Sequence, residues 1–207
     1  MTVRVEVCRA RVDDAPAVAQ LHVASFPGFF LTTLGDGFLT EFYAGAIALP
    51  DSVAFVARGA EGEIVGAVVG VLHERGFHRR AVSRRAVRSV VTLAIALVRR
   101  PTALGPLLTR LPTVRRGARP VSGSEDGGLL ASLFVDAAAR GHGVGEALVG
   151  AWVNRARALG ASSAYLTTDA DGNEAVNRFY DRLGWGLVGQ EDAGSGRPRN
   201  RYRFVLT

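Results

Sequence analysis

The first half of the chain alternates between the hydrophobic periods of strands and of helices. Apolar and polar residues alternate as in a strand over residues 3–10, and the mostly apolar runs over residues 52–58 and 63–73 also predict strands. Between the first two, apolar residues at helical spacing follow the acidic pair Asp13 and Asp14, and a second helical run contains Phe38 and Phe42. The short stretch "GAEG" separates the second and third strands and predicts a hairpin turn.

The second half predicts a strand over residues 128–135, a glycine-containing loop and a helix that ends near Leu159. A further strand over residues 163–169, a helix over 173–184 and two closing strands follow. The strand–loop–helix–strand unit predicts one parallel pair, and the hairpins predict antiparallel ones. We therefore expect an α/β (α+β) fold, with a mixed, mostly antiparallel twisted sheet flanked by helices, in a single domain over residues 1–207.

Charge changes this picture in one segment. The net charge is +6, and all 25 basic residues are arginine. Residues 75–124, the arginine-rich segment, contain 12 arginines and no acid, whereas the remainder has 13 arginines and 19 acids. Such a shift in composition is typical of an insertion. Within it, residues 78–101 predict one helix with a basic first half and an apolar second half, and 104–112 predict a short second helix.

Three interpretations of the arginine-rich segment remain open. It forms a helical flap that packs on the sheet or on a second subunit, with its arginines in solvent. Alternatively, its guanidinium groups bind an anionic acceptor, such as a nucleotide-linked amino sugar. The third interpretation is contact with an anionic membrane surface or nucleic acid, and the lack of aromatic residues among the arginines argues against nucleic acid.

Other compositional features narrow the function classes. Cys8 is the single cysteine, so an intrachain disulfide is excluded. The four histidines are scattered, which argues against a metal site. The first ten residues lack the apolar core of a signal peptide, and no apolar run has the length of a membrane span, so we expect a cytoplasmic protein.

The stretch "RGHGVGEALVGAW" carries the strongest chemical signal. Glycines allow close approach of the backbone to an anion, and the first turn of a helix presents unpaired, electropositive amides. A nucleoside-triphosphate loop is excluded because the chain has no lysine. A dinucleotide fingerprint is disfavoured because the glycines lie late in the chain, at alternating positions.

Two motifs in this half resemble those of the GCN5-related N-acetyltransferases. That family has Arg/Gln-x-x-Gly-x-Gly/Ala, preceded five residues earlier by a strand valine, and the chain matches it with Val135, Arg140, Gly143 and Gly145. It also has an asparagine followed seven residues later by a tyrosine and then a glycine–aromatic pair, matched by Asn173, Tyr180, Gly184 and Trp185. The arginine-rich segment departs from the short connection that the family usually has there.

The resemblance implies acetyl-CoA as the co-substrate and transfer of its acetyl group to a primary amine by direct attack. The loop amides that would hold the pyrophosphate belong to Arg140, Gly141, His142, Gly143, Val144 and Gly145. The backbone of Phe134 and Val135 would pair with the pantetheine arm, and one amide there would face the thioester carbonyl. Asn173 would contact the cofactor or simply cap its helix, and Tyr180 would act as general acid unless it is a core aromatic.

The general base stays open between Glu125 and Asp126, which precede the central strand, His73 at the end of an earlier strand, and a water relay. The resemblance places the aromatic stretch "FPGFF" at the entrance for a small-molecule acceptor, which the arginines suggest is an anionic amino sugar or a nucleotide-linked sugar. A homodimer is a further expectation. The alternative function is a non-catalytic CoA-binding module that uses the arginine-rich segment as its partner surface.

Overall fold

Seven strands form one sheet in the computed structural model, which describes residues 5–27, 29–99, 127–192 and 198–206. In chain order the strands are β1 (Glu6–Arg9), β2 (Ser52–Arg58), β3 (Ile64–Val71), β4 (Gly127–Val135), β5 (Ser163–Asp169), β6 (Gly186–Asp192) and β7 (Pro198–Val205). Their order across the sheet is β1-β2-β3-β4-β5-β7-β6. Within the described residues β4 and β5 form the single parallel pair, and all other neighbours are antiparallel.

Helices cover both faces of this sheet. In chain order they are α1 (Ala15–Ser25), α2 (Phe30–Thr33), α3 (Asp36–Ile47), α4 (Phe77–Arg84), α5 (Ala86–Arg99), α6 (Val144–Ala158) and α7 (Glu174–Arg182). The predicted fold class, a mixed and mostly antiparallel sheet flanked by helices, is thus confirmed. The bounds of β2 and β5 agree with the strands predicted over residues 52–58 and 163–169.

The prediction of one helix over residues 78–101 is wrong, because two helices, α4 and α5, occupy its described part. The break falls at Arg85, whose backbone leaves the helical region with φ −129° and ψ 35°. The Arg85 guanidinium forms an ion pair with Glu41 of α3, a long-range contact that the local pattern does not contain. The helix predicted over residues 104–112 lies outside the described residues.

Two hydrophobic cores flank the sheet. On one face, α1, α3 and α4 pack against Val56, Val69 and Phe134. On the other face, α6 packs against Val68 and other sheet residues through the fully buried Trp152. A Cβ atom at Gly70 would lie 2.6 Å from the Trp152 Nε1 atom, so this strand position must be glycine for the indole to fit.

The first part of the arginine-rich segment is built into the protein rather than laid on its surface. Phe77 and Ala81 of α4 are buried. A Cβ atom at Gly45 of α3 would lie only 1.9 Å from the Ala81 carbonyl oxygen, which shows how closely α3 and α4 approach. Arg80 forms a two-pronged ion pair with Asp51, with N–O distances of 2.8 and 3.0 Å. The interpretation of the segment as a flap with its arginines in solvent is therefore wrong for Arg80, which is paired with Asp51.

Among the helices that the structure describes, none combines the length and apolar character that crossing a membrane requires. The described part of the chain also holds no group of three or more His, Cys, Asp or Glu side chains arranged to bind a metal.

Candidate active site

β4 and β5 separate along their length. Their pairing covers three residues of each strand and ends at Leu129 and Tyr165. Because β4 continues to Val135, its backbone beyond Leu129 has no strand partner on the β5 side among the described residues. We call this opening the split. Its closed end is at Leu129 and Tyr165, and its open end lies toward the carboxyl ends of the two strands.

A bulge accompanies the split on the other side of β4. Val69 of β3 pairs with Ser132, whereas the next residue, Gly70, pairs with Leu130, so Ala131 is an extra residue in β4. A bulge bends its strand and increases the local twist. Its position, two residues after the last pair with β5, accounts for the divergence of β4 from β5.

The glycine loop lies at the open end of the split, between β4 and α6. Gly141 and Gly143 have φ angles of 77° and 78°, in the left-handed region that favours glycine. A Cβ atom at either position would meet no other atom within 4 Å, so the loop backbone faces open space. α6 begins at Val144, and the amides of its first turn add an electropositive end. This arrangement fits a phosphate group held by backbone amides.

Polar side chains in and before the glycine loop form hydrogen bonds with nearby backbone groups. The Arg140 Nε atom donates to the Val135 carbonyl oxygen at 3.0 Å, which ties the loop back to the end of β4. The exposed His142 ring lies with Nδ1 2.8 Å from the Arg140 carbonyl oxygen. Asp136, which the motifs did not indicate, accepts the Ala138 amide at 2.8 Å and caps a short helical turn before the loop. An aspartate before three alanines is a capping signal that sequence reasoning can find.

The remaining predicted cofactor residues offer mainly backbone to the split. The Phe134 ring is buried against His22, Phe26 and Tyr43, and Val144 is buried in the core beneath α6. Gly145 lies against α7, where an added Cβ atom would be 3.4 Å from the Phe179 ring. Backbone contact is what the resemblance implies for these positions.

α7 follows β5 as α6 follows β4, so both helices begin beyond the carboxyl ends of the separated strands. Asn173 stands at the N-cap position of α7, and its side chain makes no capping hydrogen bond. The alternative that Asn173 is a plain helix cap is therefore not realised. Instead, the Thr168 hydroxyl donates to Asn177 at 2.6 Å and joins α7 to β5.

Tyr180 lies on the buried side of α7. Its side chain packs against Phe179, Trp185 and Tyr202, with ring centroids 5.0, 5.8 and 6.0 Å away. Burial raises the pKa of Tyr180 above its usual value, so the phenol keeps its proton at neutral pH. A protonated phenol is what a general acid requires, and the catalytic role of Tyr180 stays a prediction.

Of the three candidate bases, only His73 lies within the described residues. Glu125 and Asp126 lie outside the described residues. His73 is exposed, and its Nδ1 atom lies 3.3 Å from Asp51. Burial alone would raise the pKa of Asp51, but the hydrogen bonds and charge of Arg80 outweigh burial and lower it. His73 thus belongs to an ion-pair cluster at the end of β3.

Two polar groups that the motifs did not indicate lie near β4 and β5. The Tyr165 hydroxyl donates to the Glu74 carboxylate, 91 positions away in the chain. Below β4, the His22 Nδ1 atom lies 2.6 Å from the Tyr43 hydroxyl, which is also hydrogen-bonded to Ser132. No local pattern reveals either group, since each joins separate elements.

Comparison with known proteins agrees with this geometry. The family model described as Acetyltransferase (GNAT) family matches residues 15–185. No curated protein sequence matches the chain. Among solved structures, SsHAT superimposes with a TM-score of 0.65 and 20% identity, covering 98% of each chain.

Two further structures share the fold. A putative GNAT acetyltransferase from Desulfovibrio desulfuricans has a TM-score of 0.62 and 16% identity, covering 99% of this chain and all of that one (100%). A polyamine N-acetyltransferase from Drosophila melanogaster, which forms N-acetylagmatine, has a TM-score of 0.59 and 19% identity, covering 98% and 100%. With the family model spanning most of the chain and the split and glycine loop in place, the chain belongs to the GNAT family of acetyltransferases.

Proposed function

We propose that this protein is an acetyl-CoA-dependent N-acetyltransferase that acetylates a primary amine of a small molecule. One observation supports the proposal most directly: the strand edge of β4 and the glycine loop both line the split. Within the part of the chain that the structure describes, the edge of β4 beyond Leu129 pairs with no strand, so it offers backbone donors and acceptors. Gly141 and Gly143 direct open backbone toward the same end.

Each part of the opening matches a part of acetyl-CoA. The amides of residues 140–145 would hold the pyrophosphate, because backbone donors at a helix start bind phosphate. The backbone of Phe134 and Val135 would pair with the amides of the pantetheine arm as a neighbouring strand does. Asn173 would add a side-chain contact, and Tyr180 would supply a proton to the departing thiolate. The thioester is the activated acyl group that acetyl-CoA supplies.

For the acceptor, we propose an amine on an anionic small molecule, such as an amino sugar or a nucleotide-linked sugar. Support comes from Arg79, Arg84 and Arg88, which are exposed on α4 and α5. Guanidinium groups bind phosphates through paired hydrogen bonds. A small-molecule amine is also the substrate type of the Drosophila polyamine enzyme, which shares the fold.

A second proposal concerns partners. α5 exposes an apolar stripe with Val87 at 79%, Val90 at 64% and Val91 at 52% of their surface. These positions recur at helical spacing, and Arg84 and Arg88 lie beside them. We assign this face to contact with a second copy of the chain or with an anionic surface. Light scattering tests for the dimer, and sedimentation with phosphatidylserine vesicles tests for binding to an anionic surface. A protein that is monomeric and does not sediment with the vesicles would contradict both assignments.

Calorimetry with acetyl-CoA and desulfo-CoA tests the cofactor site. Gly143→Pro is the decisive variant, because proline holds φ near −65° and Gly143 requires 78°. We expect micromolar binding by the wild type and at least a roughly 100-fold loss in the variant, since the amide cradle is disrupted.

The matched control is Gly150→Ala, which lies inside α6 where an added Cβ meets nothing within 4 Å, and it should bind like the wild type. Absence of binding by the wild type would overturn the proposal. Binding without acetylation of any amine would favour the non-catalytic CoA-binding module.

A further inference from the structure

A carboxylate from one strand end is fixed by a buried tyrosine from another strand. The Tyr165 hydroxyl donates to Oε2 of Glu74, in the turn that follows β3. Tyr165 is buried, whereas Glu74 is half-buried. Burial, and then the hydrogen bond and charge of Glu74, raise the pKa of Tyr165, so the hydroxyl keeps its proton and remains the donor. Glu74 is therefore the acceptor, and its carboxylate is held in one orientation.

The register of the sheet places this pair at the closed end of the split. Tyr165 pairs with Leu129 in the last row that joins β4 to β5. On the other side of β4, Leu129 pairs with Val71, three residues before Glu74. The two residues thus meet across the start of β4, at the end of the split opposite the glycine loop.

The described cations beside the Glu74–Tyr165 pair contact other acids. The Arg201 guanidinium lies over the Tyr165 ring, 4.4 Å from its centroid, and forms its ion pair with Glu191 at 3.6 Å. Arg199 lies 4.0 Å from Asp169. Among the residues that the structure describes, Glu74 has no ion pair. A half-buried carboxylate without a countercharge favours a cationic ligand.

We propose that Glu74, oriented by Tyr165, binds the ammonium group of the acceptor and removes one of its protons before attack. This inference rests on the proposed function, because it needs a thioester placed in the split. Glu74 would be a catalytic residue, and Tyr165 a positioning residue. This proposal gives Glu74 the role for which the sequence offered Glu125, Asp126 and His73.

The protons balance in the following way. The ammonium nitrogen carries three, and one passes to the Glu74 carboxylate. The freed lone pair forms the bond to the thioester carbon, and the carbon–sulfur bond breaks. Tyr180 gives its proton to the departing thiolate and is reprotonated by the second nitrogen proton, and the third remains on the amide product. Glu74 then returns its proton to solvent.

The test compares Glu74→Gln, Tyr165→Phe and the control Glu61→Gln, which changes an exposed acid in the β2–β3 turn. Acetyl-CoA is the acetyl donor in each assay. The acceptor is ethylamine at high concentration, agmatine or glucosamine 6-phosphate, and each of these three amines presents an ammonium group. We expect Glu74→Gln to lower kcat/KM for the amine by roughly 100-fold or more, as loss of a general base does. Tyr165→Phe, which keeps the charge, should cost roughly 10-fold because the carboxylate is less well oriented. Acetyl-CoA binding by calorimetry should change by less than about twofold in all three variants, since none alters the amide cradle.

Each outcome separates this inference from the proposed function. Equal kcat/KM in Glu74→Gln and wild type would overturn the role of Glu74 and leave the proposed function intact. A wild type that binds no acetyl-CoA would overturn the proposed function instead. A wild type that binds acetyl-CoA but acetylates none of the three amines would count against the proposed catalysis and, with it, against the role of Glu74. If Glu74→Gln does not fold, Tyr165→Phe carries the test, and unchanged kinetics in that variant would overturn the inference.

Discussion

The two ends of the split present different kinds of binding group. At the open end, the binding groups are main-chain amides from consecutive residues, and Gly141 and Gly143 contribute by lacking side chains. At the closed end, the groups are the side chains of Glu74, Tyr165 and Arg201, from elements far apart in the chain. A site made of local backbone leaves a motif in the sequence, whereas a site assembled by strand pairing does not.

The same substitution at the two ends should have unequal effects on stability. A Cβ atom at Gly70 would lie 2.2 Å from the Leu129 carbonyl oxygen beside the closed end, whereas at Gly141 it would meet nothing within 4 Å. We expect Gly70→Ala to lower the free energy of unfolding by roughly 3 kcal/mol through overpacking. Gly141→Ala should cost about 1 kcal/mol through its left-handed φ alone. Urea unfolding measures both, and equal losses would contradict the contrast.

Catalysis should separate from binding at Tyr180. Removing its hydroxyl in Tyr180→Phe should lower kcat by roughly 100-fold, because the thiolate loses its proton donor, while acetyl-CoA binding stays unchanged. The control is Tyr202→Phe, which removes a hydroxyl from the same aromatic cluster. Steady-state kinetics and calorimetry check both. Unchanged turnover with a true acceptor would make Tyr180 a core aromatic only.

Acidification should destabilise the helix layer under the open end through His22. Burial lowers the pKa of His22 from 6.5 to about 4, so the folded state holds the imidazole neutral. Between pH 6.5 and about pH 4, His22 is protonated in the unfolded chain but neutral in the folded protein, so the free energy of unfolding decreases as the pH falls. We expect His22 to account for about 2 kcal/mol of the loss in unfolding free energy between pH 7 and pH 5.

Urea unfolding at both pH values checks this prediction. In His22→Gln the difference between the two pH values should shrink by that amount. The exposed His142→Gln should keep the wild-type difference. An unchanged pH dependence in His22→Gln would assign the acid sensitivity to other groups.

The smallest effect should come from the brace at the open end. Arg140→Ala removes the hydrogen bond to the Val135 carbonyl oxygen but leaves the loop amides. Acetyl-CoA binding should weaken by roughly fivefold, since one surface hydrogen bond is worth about 1 kcal/mol. Arg157→Ala is the control, because Arg157 makes the same kind of bond, 3.0 Å to the Leu206 carbonyl oxygen, elsewhere. A loss above 100-fold would show that the Arg140 charge itself binds phosphate.

The same contrast between local and long-range contacts decides which features could be predicted from the sequence. Short, mostly apolar runs located β2 and β5 with their bounds, and the glycine motif located the loop before α6. The break at Arg85 escaped prediction, since residues 83–86 contain neither glycine nor proline and the ion pair to Glu41 is tertiary. Glu74 escaped as well, because its partner Tyr165 is 91 positions away and becomes a neighbour only through the sheet.

The close approach of Gly45 to the Ala81 backbone limits how this protein can be shortened. Designers who wish to remove an insertion usually cut where the chain leaves the body of the protein. Here α4 begins at Phe77, and its buried residues fill a face that α3 would otherwise present to water. A deletion beginning at residue 75 would uncover Phe42 and break the ion pair of Asp51 with Arg80. Trimming of the arginine-rich segment therefore has to spare its first helix, α4.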